Sequence, residues 1–265
     1  MTSNLGTALV TGASSGIGAT YADRLARRGY DLVLVARDGD RLRALSQKLA
    51  ADYGIAADVL RADLYDRAEV RKVEQRLQAD PAIKLFVNNA GIGPAGPLLE
   101  GDIDYLDRMV ELNVSAANRL AVVAARAFIA RGAGAIINIA SVVALAPQIF
   151  NGTYSATKAF VLALTEGLAS ELANTPVRIQ AVLPGLTRTE IFDRVGHSFD
   201  NLDQDKVMEA GDLVDAALSG FDRGELITIP SLENGELYEA YVTARDALGP
   251  HLSLNRPASR YAVGG

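Results

Sequence analysis

The sequence predicts an α/β fold of the doubly wound, Rossmann type: a seven-stranded parallel sheet with helices on both faces. Short apolar runs alternate with segments of helical periodicity along the chain, which is typical of repeated βαβ units. Residues 32–35 are continuously apolar, as in a strand that helices cover on both sides. A glycine-rich turn at residues 11–18 directly follows the first apolar run, where folds of this class bind nucleotides.

The first third of the chain supplies four predicted strands and three helices. The strands are the apolar runs at residues 7–10, 31–36, 57–62 and 83–87. The first helix, residues 17–28, contains good helix formers and stops before Gly29. The second helix is indicated by leucines on one face, at Leu42, Leu45 and Leu49. The third begins near Asp66, which together with Glu69 resembles a capping box.

The rest of the chain continues the alternation. A long helical segment at residues 103–131 precedes a fifth strand at 135–139. Another helix, at residues 153–174, precedes a sixth strand at 177–183. A seventh strand completes the predicted sheet at residues 226–229.

Two regions depart from this alternation. Residues 186–211 are polar and mixed in character, which favours a mobile, lid-like insertion. Residues 230–265 follow the last strand and form a C-terminal extension with apolar residues at helical spacing. Because doubly wound folds reach 265 residues as one unit, we predict a single Rossmann-type domain over residues 1–265.

Composition excludes several classes of function. The net charge of −6 argues against a dedicated nucleic-acid-binding protein, which needs a basic surface. The chain contains no cysteine and two histidines, so we expect no disulfide and no metal site. It lacks a secretory signal pattern and an uncharged apolar run long enough to span a bilayer. We therefore expect a soluble, cytoplasmic protein without membrane association.

The turn at residues 11–18 has glycines at Gly12, Gly16 and Gly18. Glycines permit a tight turn and let a pyrophosphate approach the backbone, and the following helix offers free N–H groups. A plain strand-to-helix turn is the alternative interpretation.

The end of the second strand indicates which nicotinamide cofactor is bound. An NAD site places an acidic residue there, to bind the adenosine ribose hydroxyls. This chain has Ala36 and then Arg37, and a guanidinium can pair with a 2′-phosphate. Asp38 is better placed to cap the next helix. We therefore predict NADP (NADPH) in preference to NAD.

Five motifs in chain order make this sequence similar to the short-chain dehydrogenase/reductase family. They are the Thr11–Gly18 turn, Asn88-Asn89-Ala90-Gly91, Asn113, Ser141 with Tyr154-x-x-x-Lys158, and Pro184-Gly185 followed by Thr189. The resemblance covers about residues 5–230. It implies that Asn113, Ser141, Tyr154 and Lys158 are the catalytic residues of an oxidoreductase.

The chemistry of these side chains fits that implication. Tyr154 and Lys158 are four residues apart and share one helix face. We expect the Lys158 ammonium to lower the Tyr154 pKa, so that the tyrosine can exchange a proton with a carbonyl or alcohol oxygen. Ser141 would hydrogen-bond the same oxygen. The resemblance further implies that Lys158 holds the nicotinamide ribose and that Asn113 anchors a proton-relaying water.

The resemblance also implies a set of cofactor-binding residues. Asp63 would contact the adenine, although a helix cap is an alternative role, and Asn88 is expected to brace the sheet. The predicted cofactor-binding residues are Gly12, Ser14, Ser15, Gly16, Ile17, Gly18, Arg37, Asp63, Leu64, Asn89, Ala90, Gly91, Tyr154, Lys158, Pro184, Gly185, Leu186, Thr187 and Thr189.

We therefore predict an NADP-dependent oxidoreductase that transfers a hydride between the nicotinamide and a carbonyl or secondary-alcohol substrate. A lyase or epimerase on the same scaffold, or a non-catalytic NADP-binding regulator, is the alternative. Largely apolar segments at residues 92–99 and 142–152 predict an apolar substrate pocket. In it Gln148 and Asn151 could bind one polar group, and a role in loop turns is the alternative. The helices at residues 116–130 and 153–174 are apolar nearly all round, which predicts a homodimer or homotetramer.

Overall fold

The computed structural model describes residues 5–190 and 203–261. Seven parallel strands form its main sheet in the order β3-β2-β1-β4-β5-β6-β9, which confirms the predicted doubly wound topology. The strands are β1 Thr7–Thr11, β2 Asp31–Ala36, β3 Ala57–Arg61, β4 Ile83–Asn88, β5 Gly134–Ile139, β6 Val177–Val182 and β9 Ile227–Thr228. The two short strands β7 Thr187–Arg188 and β8 Met208–Glu209 pair with each other in a second sheet.

Helices cover both faces of the main sheet, and each face has its own apolar core. The helices are α1 Gly16–Arg27, α2 Gly39–Tyr53, α3 Arg67–Ala79, α4 Ile103–Val110, α5 Ala117–Arg131, α6 Gly152–Leu172, α7 Ala210–Asp222 and α8 Glu236–Asp246. Val10 packs in the core that contains Tyr21 and Leu42, whereas the adjacent Leu9 packs in the core with Val73 and Phe128. Successive strand residues therefore face opposite layers, as the continuous apolar runs predict.

Strand β1 lies between β2 and β4, so the chain connections on its two sides run in opposite directions across the sheet. The register pairs Thr11 with Val35 on one side and Val10 with Val87 on the other. All three strands thus end at the same edge. A crevice opens at such a switch point, beyond the carboxyl ends of the strands, and ligands of α/β sheets bind there.

The predicted helix at residues 103–131 is not uniformly α-helical. Between α4 and α5 the chain forms a π-helical segment, Glu111–Ala116, which contains Asn113. The Asn88 amide donates to the carbonyl of Ala117 at 3.0 Å and to Asn138 at 3.0 Å. Asn88 therefore braces the sheet and the helix above it, as expected. Apolar periodicity does not distinguish a single π turn from an α turn, so the sequence did not indicate it.

The start of α3 differs in detail from a capping box. Asp66 caps the helix by accepting the N–H of Ala68 at 2.7 Å. The Glu69 carboxylate does not accept the Asp66 N–H, as it would in a capping box. It accepts the N–H of Asp63 at 2.6 Å. The predicted capping box is therefore wrong, because Glu69 holds the loop before the cap rather than the cap itself.

The two regions that depart from the alternation are partly described. Of the predicted insertion at 186–211, residues 191–202 lie outside the described residues, and the remainder contributes β7 and β8. The chain divides into two compact units, residues 1–230 and 231–265. In the second unit α8 is followed by short 3₁₀ turns, and Leu237, Leu248 and Leu252 are exposed. The single domain over 1–265 stays a prediction.

No helix within residues 5–190 and 203–261 is both long enough and apolar enough to cross a bilayer.

Candidate active site

The turn between β1 and α1 tolerates only glycine at its two most crowded positions. Gly12 has φ of +67°, and a Cβ atom there would lie 2.7 Å from Asn89 Nδ2. A Cβ atom at Gly18 would lie 2.3 Å from the Gly12 carbonyl oxygen. Any side chain at these positions would push the turn away from the end of β4, so the spacing of the glycines follows from close packing.

Thr11 and Asn89 tie the ends of β1 and β4 together. Thr11 Oγ1 accepts the N–H groups of Asn89 at 3.0 Å and Ala90 at 3.2 Å. Asn89 Nδ2 donates in return to the Thr11 carbonyl at 2.8 Å. These bonds hold the glycine turn and the Asn89-Ala90-Gly91 segment as two fixed walls of one cleft.

That cleft has a volume of about 730 Å³, which lies in the range of small-molecule sites. It is lined by many of the predicted cofactor-binding residues: Gly12, Ser14, Ser15, Gly16, Ile17, Arg37, Asp63, Leu64, Asn89, Ala90, Gly91 and Thr189. Ala36 and Asp38, which the sequence analysis considers at the end of the second strand, line it too. The rest of the lining was not among the predicted cofactor-binding residues: Arg41, Arg61, Ala62, Tyr65, Ile92, Leu112 and Glu190.

One end of the cleft is rich in arginine. Arg37 lies over the Tyr65 ring, with its guanidinium carbon 5.3 Å from the ring centroid. Arg61 donates from Nε to the Arg37 carbonyl at 3.1 Å. Arg41 Nη1 is 2.6 Å from Glu190 Oε2. Three guanidinium groups therefore gather where the second and third strands end, which suits an anionic ligand group.

The acidic residues at this end are held by the backbone. Asp38 caps α2, as expected, by accepting the N–H of Arg41 at 3.0 Å. Asp63 accepts the N–H of Tyr65 at 3.1 Å, and α3 starts only after the Asp66 cap. Asp63 is therefore not the cap of α3; it lines the cleft.

Tyr154 and Lys158 lie in the first turns of α6. Asn151 caps this helix by accepting the Tyr154 N–H at 3.1 Å, and its amide donates to the Gly96 carbonyl at 3.0 Å. The Asn151 side chain is thus used by the fold, which contradicts the expectation that it binds a substrate group. Lys158 Nζ donates to the Ile139 carbonyl at 2.9 Å and lies 5.7 Å from the Tyr154 ring centroid.

Asn113 is buried in the π-helical segment and is held from three directions. Its Oδ1 accepts the Ile92 N–H, and its Nδ2 donates to the Ile92 carbonyl, both at 2.9 Å. Nδ2 also lies 3.2 Å from Thr157 Oγ1. A Cβ atom at Gly91 would lie 3.0 Å from Asn113 Oδ1 and 3.7 Å from Lys158 Nζ. The cleft wall at Gly91 therefore adjoins the predicted catalytic residues.

Ser141 lies at the carboxyl end of β5, beside the segment that follows β6. Its hydroxyl donates to the Pro184 carbonyl at 3.3 Å and shares a hydrogen bond with Tyr154. The Gly185 carbonyl accepts the Thr187 hydroxyl at 3.1 Å, which keeps this segment turned. The predicted cofactor residues outside the cleft lining are Gly18, Tyr154, Lys158, Pro184, Gly185, Leu186 and Thr187.

The protonation of this pair differs from the expectation. Desolvation raises the pKa of Tyr154 to about 12, and the hydrogen bond with Ser141 lowers it by less. Burial lowers the pKa of Lys158 to about 8. The expected lowering of the Tyr154 pKa by Lys158 is therefore wrong for the chain alone. The Lys158 ammonium is aimed at the Ile139 carbonyl, and the loss of water around both groups outweighs their attraction.

Within the described ranges, no group of three or more histidine, aspartate or glutamate side chains could hold a metal ion.

Several known proteins are similar to this chain over most of its length. A family model described as short chain dehydrogenase matches residues 6–198. A short-chain dehydrogenase from Sphingobium yanoikuyae, solved in complex with NADPH, is 47% identical; 97% of this chain and 100% of that one are covered, with a TM-score of 0.93. A bulky-bulky ketone specific alcohol dehydrogenase from Comamonas testosteroni is 44% identical, with 98% and 99% covered and a TM-score of 0.90. An uncharacterized oxidoreductase from Staphylococcus saprophyticus is 33% identical over 185 residues, which cover 69% of this chain and 79% of that protein.

Proposed function

Because the chain belongs to the short-chain dehydrogenase family, we propose that it is an NADP-dependent oxidoreductase acting on a carbonyl and secondary-alcohol pair. One observation carries the proposal. Ser141, Tyr154 and Lys158 cluster beside the Gly91 wall of a cleft whose far end gathers three arginines. A dinucleotide with a phosphate at one end and a reactive ring at the other matches that polarity.

The residues of the cleft fit NADP. The crowded glycine turn leaves backbone N–H groups at the start of α1, which suit a pyrophosphate. Arg37 and its neighbours suit a 2′-phosphate. Asp38 also lines the cleft, but one of its carboxylate oxygens caps α2. The NADPH in the Sphingobium relative supports the same choice. When bound, the nicotinamide supplies or takes up the hydride.

Tyr154 is the proposed acid in the reduction direction. With a pKa of about 12 it carries its proton at neutral pH, so it can donate that proton to a carbonyl oxygen. Ser141 donates its only hydroxyl proton to the Pro184 carbonyl in this structure. By turning away from that carbonyl, the hydroxyl can donate to the substrate oxygen as negative charge develops. Lys158, with a pKa of about 8, can return a proton toward Tyr154 between turnovers.

The substrate proposed for this site is an apolar ketone of bulky shape. Phe150 packs edge-on against Tyr154 with ring centroids 5.7 Å apart. Leu98 lies against Gly152, where an added Cβ would be 3.2 Å from its side chain. Leu99 and Ile149 expose 98% and 64% of their surface. Apolar walls beside the proposed acid favour an uncharged substrate, and the ketone specificity of the Comamonas relative agrees.

The test is a substrate panel followed by NADPH absorbance. The panel contains bulky aryl and cyclic ketones, small ketones, sugars and acyl thioesters, each with NADPH and with NADH. We expect turnover with bulky ketones and NADPH, and much weaker turnover with sugars. Turnover confined to sugars or charged acids would refute the substrate class, and a preference for NADH would refute the cofactor.

A homodimer or homotetramer through α5 and α6 is also proposed. Ile129 and Phe160 remain 46% and 36% exposed on these helices. Helices that are apolar on their outer face need a second partner, and closed symmetric assemblies provide one. Light scattering at micromolar concentration tests this: a monomer mass would contradict it.

A further inference from the structure

Arg41 occupies an unfavourable place for a cation. It is the third residue after the Asp38 cap and therefore lies in the first turn of α2. The N-terminal end of a helix carries partial positive charge, so an arginine there is opposed by the helix dipole. Its side chain nevertheless lines the cleft beside Arg37 and Arg61. A nearby anion would offset the repulsion between Arg41, the helix dipole and the neighbouring arginines.

Among the described residues, Glu190 is the nearest such anion. Glu190 Oε2 lies 2.6 Å from Arg41 Nη1, whereas Asp38 Oδ2 is 3.5 Å from Arg41 Nε. The Glu190 pair joins two different walls of the cleft, since Arg41 lies on α2 and Glu190 follows β7. Both side chains are about half exposed, at 49% and 45%. Exposed ion pairs contribute little free energy, so a stronger anion can displace Glu190.

Arg43 gives an internal comparison. It lies two residues further along α2 and pairs with Asp40 in the same helix. Neither Arg43 nor Asp40 lines the cleft. The two arginines thus lie on the same helix and each pairs with a carboxylate, but only Arg41 lines the cleft.

We propose that Arg41 is a second binding residue for the 2′-phosphate of NADP, and that Glu190 holds its guanidinium until the phosphate replaces the carboxylate. The inference rests on the proposed NADP dependence. A phosphate dianion can take two parallel N–H bonds from a guanidinium and carries more charge than a carboxylate. NAD has no group to make this exchange, so Glu190 stays on Arg41 when NAD binds. The pair therefore sharpens selection between the two cofactors.

The experiment is isothermal titration calorimetry with two fragments, 2′,5′-ADP and 5′-AMP, which differ by the 2′-phosphate. The variants are Arg41→Gln, Glu190→Gln and the double variant, with Arg43→Gln and Asp40→Asn as matched controls of charge change on the same helix. We expect Arg41→Gln to weaken 2′,5′-ADP about tenfold, as for the loss of a charge-assisted bond. Glu190→Gln should increase the affinity for 2′,5′-ADP about threefold, as for the loss of one exposed ion pair.

The double variant separates exchange at Arg41 from general electrostatics. If Glu190 acts by occupying Arg41, the gain from Glu190→Gln disappears in the Arg41→Gln background, and 5′-AMP affinity does not change in any variant. An equal gain in both backgrounds, or no gain in either, would overturn the exchange. An effect of the controls as large as that of Arg41→Gln would overturn the role of Arg41. Equal affinity of the wild type for the two fragments would instead refute NADP dependence itself.

Discussion

The two ends of the cleft differ in burial. At the catalytic end, Asn113 and Lys158 are 2% and 7% exposed and bond to backbone carbonyls. At the arginine end, Arg41 is 49% exposed and pairs with Glu190, and Arg37 is also exposed. Buried charges change pKa because water is removed from them, whereas exposed ion pairs keep full charge and exchange partners easily. These properties support the proposal that one end moves a proton and the other end binds an anion.

The two ends should also respond differently to mutation: changes at the buried end should alter the positions of side chains, and changes at the exposed end should alter the affinity for an anion. Asn113 is held by the Ile92 backbone and by Thr157, so a change there alters positions around the reacting groups. A change at Arg37 or Arg41 alters an exposed charge and leaves the core intact.

Tyr154→Phe should reduce kcat by about 10²- to 10⁴-fold, because it removes the proton donor and keeps the ring that packs on Phe150. NADPH affinity, measured by calorimetry, should stay near that of the wild type. Tyr53→Phe is the matched control: its hydroxyl bonds to Asp23 at 2.9 Å, away from the cleft lining, and kcat should be retained. Wild-type turnover in Tyr154→Phe would remove Tyr154 from the mechanism.

Arg37→Ala should weaken NADPH by about 10- to 150-fold, the range expected for one lost charge-assisted contact. NADH affinity should change little, because NADH lacks the 2′-phosphate. Arg43→Ala serves as the control, since Arg43 pairs with Asp40 outside the cleft lining. Equal losses of affinity for NADPH and NADH would show that Arg37 supports the fold of the site and does not bind the 2′-phosphate.

Lys158→Met should make the chain without cofactor more stable than the wild type at pH 7. Burial lowers the Lys158 pKa from 10.5 to about 8, so the unfolded chain binds more protons between these values. Wild-type stability therefore rises with pH across that window, and the advantage of the methionine variant shrinks. At about 1.4 kcal/mol per pKa unit, the change is at most about 3 kcal/mol.

Urea unfolding at pH 7 and at pH 10 measures this difference. Lys72→Met, at an exposed lysine on α3, controls for the general loss of a positive charge. If the difference in stability between Lys158→Met and the wild type does not change with pH, burial does not lower the Lys158 pKa.

The sequence predicted the sheet and the glycine turn, because each depends on local spacing. The catalytic roles of Asn113, Ser141, Tyr154 and Lys158 stay a prediction, which depends on motifs in order. Arg41, Arg61 and Glu190 were missed. They come from α2, from the end of β3 and from the chain after β7, and only the folded sheet brings their charges together. In the sequence, Arg41 looks like an ordinary exposed cation on an α-helix.

The pKa of Tyr154 could not be predicted for a similar reason. The i, i+4 spacing placed Lys158 on the same helix face, but it does not show that Lys158 Nζ is aimed at the Ile139 carbonyl. Desolvation depends on the side chains from other elements that surround a group. That surrounding comes from β5 and from the segment after β6, which no local pattern describes.

Thr157→Val should give the smallest effect, a loss of about fivefold in kcat, from one lost hydrogen bond of about 1 kcal/mol. Thr157 Oγ1 lies between the Asn113 amide, at 3.2 Å, and the Tyr154 carbonyl, at 2.8 Å. Thr157 is thus a positioning residue. Thr157→Ser should restore kcat because it keeps the hydroxyl, and KM should not change in either variant. Equal activity of the valine and serine variants, both reduced, would point to packing instead.

Hydride transfer from the cofactor to a carbonyl carbon is the central claim, and isotope transfer tests it most directly. The protein is incubated with NADPH deuterated at C4 of the nicotinamide and with a bulky ketone from the panel, and the product is examined by mass spectrometry. We expect an alcohol that carries one deuterium on the former carbonyl carbon, formed by the wild type and almost abolished in Tyr154→Phe. An alcohol without deuterium, when both transferable C4 hydrogens of NADPH are replaced, would contradict the claim, as would ketone loss without NADPH oxidation.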